Sequence, residues 1–247
     1  MKINDYVYLV ASGKMGFDWT HPSDCNVYLL NGGDEIALID TGTGESVDDI
    51  LNHIEEYGLS IKKMSYILLT HIHADHAGGA SRLRSITGAK VAVVEQAREV
   101  LASGNEEAID LTRARAAGFY PQDYRFIPCE AEIGLREGDR IKIGSLSVHV
   151  ILTPGHSQYD ISFIVESPDG IIHLFSGDTI FFDGKISMLN TYDFNIQQLA
   201  VSVEKLNRER VDLLLPGHLQ PALSNGSWHI NKAHNIFKNL GIPPNIV

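Results

Sequence analysis

Three histidines and one aspartate fall within six consecutive positions, and all four are residue types that hold catalytic metal ions. His71, His73, Asp75 and His76 directly follow the apolar run Tyr66–Leu69. Such a run is typical of a buried strand whose C-terminal end opens into a site. Side chains two apart on extended backbone point the same way, so His71 and His73 can bind one ion. Because Asp75 and His76 lie beyond the turn, we expect them to face a second ion.

Three later loops each carry one further side chain that can bind a metal. In each loop a strand-like run leads to a glycine, which allows a tight turn and a close approach of the backbone to an ion. The side chains that follow these glycines are His156, Asp178 and His218. We expect His156 to join the first two histidines on one ion. His218 would join Asp75 and His76 on the other ion, and Asp178 would bridge the two.

Imidazole and carboxylate donors suit Zn²⁺, but they also suit Mn²⁺, Co²⁺ and Fe, so the donor types leave the metal open. We expect two divalent ions per chain and favour zinc. Three protein ligands and a shared carboxylate leave solvent positions on each ion, as in catalytic rather than closed structural sites. Cys25 and Cys129 are far apart in the sequence and are expected to be small buried side chains rather than ligands.

The composition limits the partners. The chain has 247 residues, of which 44% are hydrophobic, enough for one sizeable core. A formal net charge of −11 disfavours nucleic acid and anionic membrane surfaces, so we expect a small-molecule substrate. No apolar stretch is long enough to span a membrane, and the first residues do not resemble a signal peptide. We therefore expect a cytoplasmic protein, for which a homodimer is left open.

Strand-like and helix-like segments alternate along the chain without a clear linker. Apolar residues at helical spacing follow Ser46-x-x-Asp49, a pattern that predicts a helix capped by Ser46. Residues 96–124 are polar and helix-prone and predict an inserted helical pair, which could be a substrate lid, a dimer contact or a cover for the sheet. His149 and His173 fall in strands and are expected to face solvent. The order fits one domain over residues 1–247 with two mixed sheets covered by helices.

The segment from His71 to His76, followed in order by His156, Asp178 and His218, resembles the metallo-β-lactamase superfamily. The similarity begins near residues 38–42 and covers nearly the whole chain. It implies an α+β fold, the αββα four-layer sandwich of two mixed β-sheets flanked by helices, with a dinuclear site at one edge. It also implies that Asp40 orients a ligand histidine from behind; a turn-forming role is the alternative for Asp40.

The ligand set and the resemblance together predict a hydrolase. Two ions that share a water would lower its pKa enough to supply hydroxide near neutral pH. We expect this bridging hydroxide to attack the carbonyl of a small ester, thioester or lactone. Asp75, already a ligand, would also be catalytic, because it could orient the water and pass its proton to the leaving group.

Several branches of the superfamily share these ligands. The glyoxalase II enzymes resemble the chain in every ligand but carry a longer C-terminal helical region, whereas β-lactamases lack a carboxylate at the position of Asp178. The acyl-homoserine lactonases are similar in ligand order but place a tyrosine where this chain has Phe181. Phe181 and Tyr192 are therefore the candidates for substrate contact, with Tyr120 and Tyr124 as alternatives. Lactonase and β-lactamase activities remain open as narrower or side activities.

A different class is a mononuclear iron oxidoreductase of the persulfide dioxygenase type, which resembles the same fold. Those enzymes carry a Gly-x-Gly-Arg segment after the aspartate, and the residues 183–185 do not match it. A scaffold that binds metal without catalysis is disfavoured because every ligand position is filled. The metal content separates these classes, since two ions favour hydrolysis and one iron favours the dioxygenase.

Overall fold

The computed structural model describes residues 1–247, which form two compact units, Met1–Leu135 and Arg136–Val247. Each unit contains one mixed sheet with helices of its own. The predicted fold class, two mixed sheets with flanking helices, is confirmed. The expectation of a single domain stays a prediction. None of the helices combines the length and apolar character that a membrane span requires.

The first unit contains a six-stranded sheet whose strands follow chain order. Its strands are β1 (Val7–Ala11), β2 (Val27–Asn31), β3 (Ile36–Ile39), β4 (Met64–Leu68), β5 (Lys90–Val94) and β6 (Ile133–Leu135). Its helices are α1 (Val47–Glu56), α2 (Ala74–Ala77), α3 (Ala80–Thr87), α4 (Arg98–Ser103) and α5 (Leu111–Ala116). Pairing is antiparallel from β1 to β3 and parallel from β3 to β6.

The parallel pairing of β3 with β4 determines where the site of this unit forms. Ile39 pairs with Leu68, so both strands end at the same edge of the sheet. The chain then continues from β3 into Asp40 and from β4 into Thr70 and His71. Because these residues leave adjacent parallel strands together, a side chain from one loop can reach the other loop.

Helix α1 is amphipathic, as its sequence spacing predicts, and buries Val47, Ile50 and Ile54. Ser46 occupies the predicted N-cap position of α1, but its side chain makes no capping hydrogen bond to the helix. The Ser46 hydroxyl instead accepts a hydrogen bond from the main-chain N–H of His21 at 2.8 Å. The hydroxyl that the local pattern assigns to the N–H groups of α1 is thus used by the loop that contains His21.

The second unit contains a five-stranded sheet in the order β11-β10-β9-β8-β7, in which only β10 and β11 are parallel. Its strands are β7 (Arg140–Ile143), β8 (Leu146–Leu152), β9 (Ile161–Glu166), β10 (Ile172–Gly177) and β11 (Leu213–Pro216), and its helices are α6 (Ile196–Leu206) and α7 (Gly226–Lys238). Val203 of α6 and Ile230 of α7 share one apolar core with Leu174 and Leu214 of the sheet. Both helices therefore pack on the sheet of their own unit.

Two loops of the second unit start side by side. Gly177 of β10 pairs with Pro216 of β11, and the N–H of Gly217 donates to the carbonyl oxygen of Gly177 at 2.8 Å. The next residue on one chain segment is Asp178 and on the other is His218. Parallel pairing thus brings two residues that are far apart in sequence to the same sheet edge.

His173 on β10 is fully buried, so the expectation that it faces solvent is wrong, while His149 on β8 is only partly exposed. The Nδ1–H of His173 donates to the carbonyl oxygen of Val165 at 3.2 Å on the neighbouring strand. Alternating side chains of a strand point to opposite faces of the sheet, but the pattern does not say whether a face is exposed. Here helices α6 and α7 cover one face, and the other face is buried as well. Burial holds the pKa of His173 below its usual value of 6.5.

We expect the neutral, buried His173 to make stability fall as the pH falls below about 6.5, the pKa in the unfolded chain. The unfolded chain binds this proton at a higher pH than the folded chain, so acid favours unfolding by at most about 1.4 kcal/mol per pH unit. His173→Asn keeps a donor for Val165 and should flatten the dependence of the unfolding free energy on pH between 7 and 5. Urea unfolding at several pH values measures this, with His149→Asn as the matched control. An unchanged slope in His173→Asn would contradict the assignment.

Candidate metal centre

The four predicted ligands of the first unit lie together just beyond β4. His71 and His76 are buried, and their rings lie 4.0 Å apart between centroids. The Nε2 atom of His71 is 3.1 Å from Nδ1 of His73, and the Nε2 atom of His76 is 3.6 Å from Oδ2 of Asp75. The short helix α2 begins directly after His73 and carries both Asp75 and His76 back toward the sheet edge. The first unit therefore contains two pairs of neighbouring potential ligands, His71 with His73 and His76 with Asp75.

The three predicted ligands of the second unit also lie together. The Oδ2 atom of Asp178 is 3.5 Å from Nε2 of His156 and 3.4 Å from Nε2 of His218. All three side chains are buried. One carboxylate oxygen thus faces two imidazole nitrogens that come from different loops.

These separations fit shared metal ions. Two donors bound at 2.0–2.2 Å to one tetrahedral ion lie about 3.3–3.6 Å apart, whereas a charge-assisted N–H···O hydrogen bond is about 2.7–2.9 Å long. The three imidazole–carboxylate distances of 3.4–3.6 Å are those of neighbouring ligands rather than of hydrogen bonds. The donor set in each unit is therefore suited to divalent metal binding.

The second ring nitrogen of the ligand histidines contacts other groups of the chain. Nδ1 of His76 lies 2.9 Å from Oδ2 of Asp40, and Nδ1 of His156 donates to the carbonyl oxygen of Ser187 at 3.4 Å. Such contacts hold an imidazole in the tautomer and orientation in which its other nitrogen can bind a metal. The contact of Asp40 is the one that the predicted orienting role requires, and the role itself stays a prediction.

Asp40 is held by more than His76. Its carboxylate accepts hydrogen bonds from the N–H of Thr70 at 2.8 Å and from the Thr70 hydroxyl at 2.8 and 3.1 Å. Asp40 adopts φ +62°, a left-handed conformation that costs roughly 1–3 kcal/mol for a residue with a side chain. Buried hydrogen bonds to a charged group contribute about 1.5–3 kcal/mol each and offset that strain. Thr70 was not recognised from the sequence; its place between the apolar run and His71 is the one signal available.

His156 sits on a loop that only glycine allows. Gly155 has φ +148°, and a Cβ atom there would lie 2.4 Å from the main chain of Leu199 in α6. The N–H of Asn195, which caps α6, donates to the carbonyl oxygen of Gly155 at 2.8 Å. The sequence predicts that the glycine before His156 lets the backbone approach an ion closely. The close approach that the structure shows at Gly155 is to the first turn of α6.

The predicted insertion of residues 96–124 contains the two six-residue helices α4 and α5. Beyond α5 the chain returns to the histidine loop. The Tyr120 hydroxyl donates to Oδ1 of Asp75 at 2.7 Å, and the Tyr124 hydroxyl donates to the carbonyl oxygen of Thr43 at 2.8 Å. Burial, aided by the charge of Asp75, raises the pKa of both phenols well above the usual range. Both tyrosines, which were alternatives for substrate contact, thus use their hydroxyls within the first unit.

The two candidates for substrate contact lie in different surroundings. Phe181 is fully buried, and its ring stacks beside the ring of His218 with 6.4 Å between centroids. Tyr192 is 55% exposed, and its hydroxyl accepts from the side-chain amide of Gln158 at 3.4 Å. Substrate contact by either residue stays a prediction, and the position of Phe181 suits packing against a ligand histidine.

Both cysteines are buried and reduced, as the sequence predicts. The Cys25 sulfur lies within 4.8 Å of donor atoms of Asp40 and His76. Burial raises the pKa of Cys25 to about 12, so the thiol stays protonated near neutral pH. In the chain without metal this burial disfavours the thiolate, which is the form that binds metals.

Mixed sheets that present imidazole and carboxylate donors at the ends of their strands define a class of metal-dependent hydrolases. A family model described as the metallo-beta-lactamase superfamily matches residues 21–218, and the chain belongs to that superfamily. The match includes all seven predicted ligands. The resemblance inferred from the sequence is thereby confirmed, as is the assignment of the chain as a hydrolase of this superfamily.

Three similar relatives are named as a thioesterase, a probable metallo-hydrolase and a hydroxyacylglutathione hydrolase. The chain is 28% identical to an acyl-coenzyme A thioesterase, MBLAC2, of Bos taurus over 78% of this chain and 72% of the relative. It is 30% identical to the probable metallo-hydrolase YqgX of Bacillus subtilis, over 80% of this chain and 86% of the relative. It is 33% identical to a hydroxyacylglutathione hydrolase of Pseudomonas putida, over 60% of this chain but only 44% of the relative.

Solved structures share the fold. A metallo-β-lactamase of Cronobacter sakazakii with a HARLDQ motif matches with a TM-score of 0.75 and 20% identity, over 97% of this chain and 96% of the other. The subclass B3 metallo-β-lactamase BJP-1 of Bradyrhizobium japonicum matches with a TM-score of 0.74 and 20% identity, over 97% and 91%. At this identity the likeness shows the metallo-β-lactamase fold and not the substrate.

We expect Asp40→Ala to lower the free energy of unfolding by about 3–5 kcal/mol, because it leaves the buried donors of Thr70 and His76 without their shared acceptor. Denaturant unfolding in the presence of a chelator measures this without a contribution from metal binding. Asp48→Ala is the control, since Asp48 forms an exposed ion pair with Arg82 and should cost less than about 1 kcal/mol. Equal costs for the two variants would show that Asp40 does not hold the loop.

Proposed function

We propose that the chain is a dinuclear metal-dependent thioester hydrolase. The observation that carries this proposal is the position of the Asp178 Oδ2 atom, 3.5 Å from Nε2 of His156 and 3.4 Å from Nε2 of His218. A single carboxylate oxygen between two imidazoles that come from separate loops is the arrangement expected of a ligand shared by two ions.

The proposed centre combines ligands from both halves of the sequence. We assign His71, His73 and His156 to one ion, and Asp178 to both. The other ion takes Asp75 and its neighbour His76, together with His218. Support for combining these residues comes from the family match, which spans residues 21–218. Zinc remains the favoured metal on donor type, with Mn²⁺, Co²⁺ and Fe as alternatives.

Two divalent ions, when bound, would lower the pKa of a water held between them and polarise the carbonyl of the substrate. The side chains then orient the reactants. We assign Asp75 the catalytic role of positioning the attacking water and moving its proton to the departing group. In a thioester the water oxygen bonds to the carbonyl carbon, the carbon–sulfur bond breaks, and the thiol leaves with the proton. Asp40 and Thr70 keep His76 oriented while this occurs.

A thioester is favoured over oxygen esters and lactones by the relatives. The Bos taurus relative is named an acyl-coenzyme A thioesterase, and the Pseudomonas putida relative is named a hydrolase of an acylated glutathione. Both names denote release of an acyl group from a thiol carrier. Phe181 occupies the position where lactonases of this superfamily place a tyrosine, so a lactone is the less favoured substrate.

We expect Asp178→Ala and His156→Ala to lower kcat/KM for a short-chain acyl thioester more than about a thousandfold, because each removes a ligand whose charge stabilisation is worth several kcal/mol. Release of thiol, followed with a thiol-reactive chromophore, measures this. His234→Ala is the matched control, since His234 lies half-exposed on α7. Activity within about tenfold of the unmodified protein in either ligand variant would rule out the proposed centre. The matching oxygen ester, assayed in parallel, tests whether sulfur is required.

Metal removal gives an independent check. We expect the purified protein to contain two divalent ions per chain, measured by mass spectrometry of the metals. Chelation should lower the unfolding temperature, because an ion that binds only the folded chain stabilises it by mass action. Two equivalents of Zn²⁺ should restore both the unfolding temperature and thioester hydrolysis. One iron per chain together with oxygen uptake would instead favour the persulfide dioxygenase class.

A further inference from the structure

We propose that Tyr120 is a positioning residue that orients the Asp75 carboxylate, so that Asp75 binds its ion through Oδ2 alone. This inference rests on the two-metal centre proposed above. It assigns the insertion at residues 96–124 a function, which is to brace the histidine loop.

Tyr120 contacts Asp75 twice. Its hydroxyl oxygen accepts a hydrogen bond from the main-chain N–H of Asp75 at 3.2 Å. The same hydroxyl donates its single hydrogen to Oδ1 of Asp75 at 2.7 Å. Because the main-chain N–H can only donate, the phenol hydrogen is directed to the carboxylate and not to the backbone. One phenol thus fixes both the main chain and the side chain of a proposed ligand.

The two oxygens of Asp75 are thereby made different. Oδ1 is engaged by the phenol, while Oδ2 faces Nε2 of His76 at 3.6 Å, the spacing of two ligands on one ion. A carboxylate held in this way presents one oxygen to a metal. Without the phenol it could rotate or bind through both oxygens, and the orientation would have to be restricted at the moment the ion binds.

Tyr120 is itself firmly mounted. Its ring stacks on the ring of Tyr124 with 5.3 Å between centroids. Arg115 of α5 donates to the carbonyl oxygen of Tyr124 at 2.7 Å and to Oε2 of Glu106 at 2.7 Å. Although burial alone would raise it, the hydrogen bonds from Arg115 and Phe126 hold the pKa of Glu106 below its usual value. The end of the insertion is therefore tied to its own helix, and a rigid mount is what a positioning residue requires.

Tyr124 offers a matched control. Its hydroxyl donates to the carbonyl oxygen of Thr43 and lies 3.4 Å from that of Ala74, so it contacts the same loop through the backbone only. Tyr120→Phe and Tyr124→Phe each remove one phenol oxygen and leave the stacked rings in place. The two variants therefore lose a similar amount of packing and differ in whether a ligand carboxylate loses its donor.

The test is a Co²⁺ titration of metal-free protein, followed by the visible absorption of the bound ion and by competition with a chelator. We expect Tyr120→Phe to weaken binding of one of the two ions by about ten- to a hundredfold, the usual effect of removing a group that orients a ligand. Binding of the other ion should stay within about twofold, and so should both constants in Tyr124→Phe. Thioester hydrolysis by Tyr120→Phe should recover as Co²⁺ is raised, which a general loss of structure would not produce.

Two results overturn the inference. One is a Tyr120→Phe protein whose two binding constants match those of the unmodified protein. The other is a Tyr124→Phe protein that loses affinity for one ion to the same extent as Tyr120→Phe. Failure of the proposed centre is recognised separately, since the unmodified protein itself would then bind fewer than two Co²⁺ ions per chain. Unfolding midpoints of the metal-free variants, measured alongside, should agree within a few degrees.

Discussion

The carboxylate of Asp40 is the interaction on which the site in the first unit depends. It accepts hydrogen bonds from the N–H and hydroxyl of Thr70 and contacts Nδ1 of His76, and all three residues are buried. A buried carboxylate is costly unless several donors surround it, so this group specifies one arrangement of the loop that follows β4. The left-handed conformation of Asp40 is the local cost of turning its side chain toward that loop.

The second unit reaches a comparable result by other means. Asp178 and His218 follow two adjacent parallel strands, and a hydrogen bond between Gly217 and Gly177 joins their loops. His156 is placed by Gly155, which packs against the first turn of α6 where any larger residue would collide. Backbone pairing and close packing, rather than a buried charge, thus determine the positions of these ligands. In both units the rigid element is a strand end, and the chemistry lies on the loop beyond it.

Much of the site was predictable because its signals are local. A strand-like run followed by a loop that carries histidine or aspartate occurs four times in the chain. Each occurrence marks a ligand position that the structure gathers with its neighbours in the same unit. The strands and the long helices were predictable for the same reason, since hydrophobic periodicity is read within a dozen residues. His173 was wrongly expected to face solvent because a strand pattern marks two faces without saying whether both are covered.

The sequence by itself determined which side chains could bind metal, in what order they occur, and that the chain belongs with metal-dependent hydrolases. Residue type and spacing carry that information, and folding does not alter them. Apart from Asp40, whose role the resemblance implies, the groups that support the ligands were decided only by the tertiary structure. Tyr120 lies 45 positions from Asp75 and Ser46 lies 25 positions from His21, and no local pattern links either pair. A hydroxyl forms a hydrogen bond, as donor or acceptor, with whichever group the fold brings within about 3 Å. That group is set by the packing of distant segments.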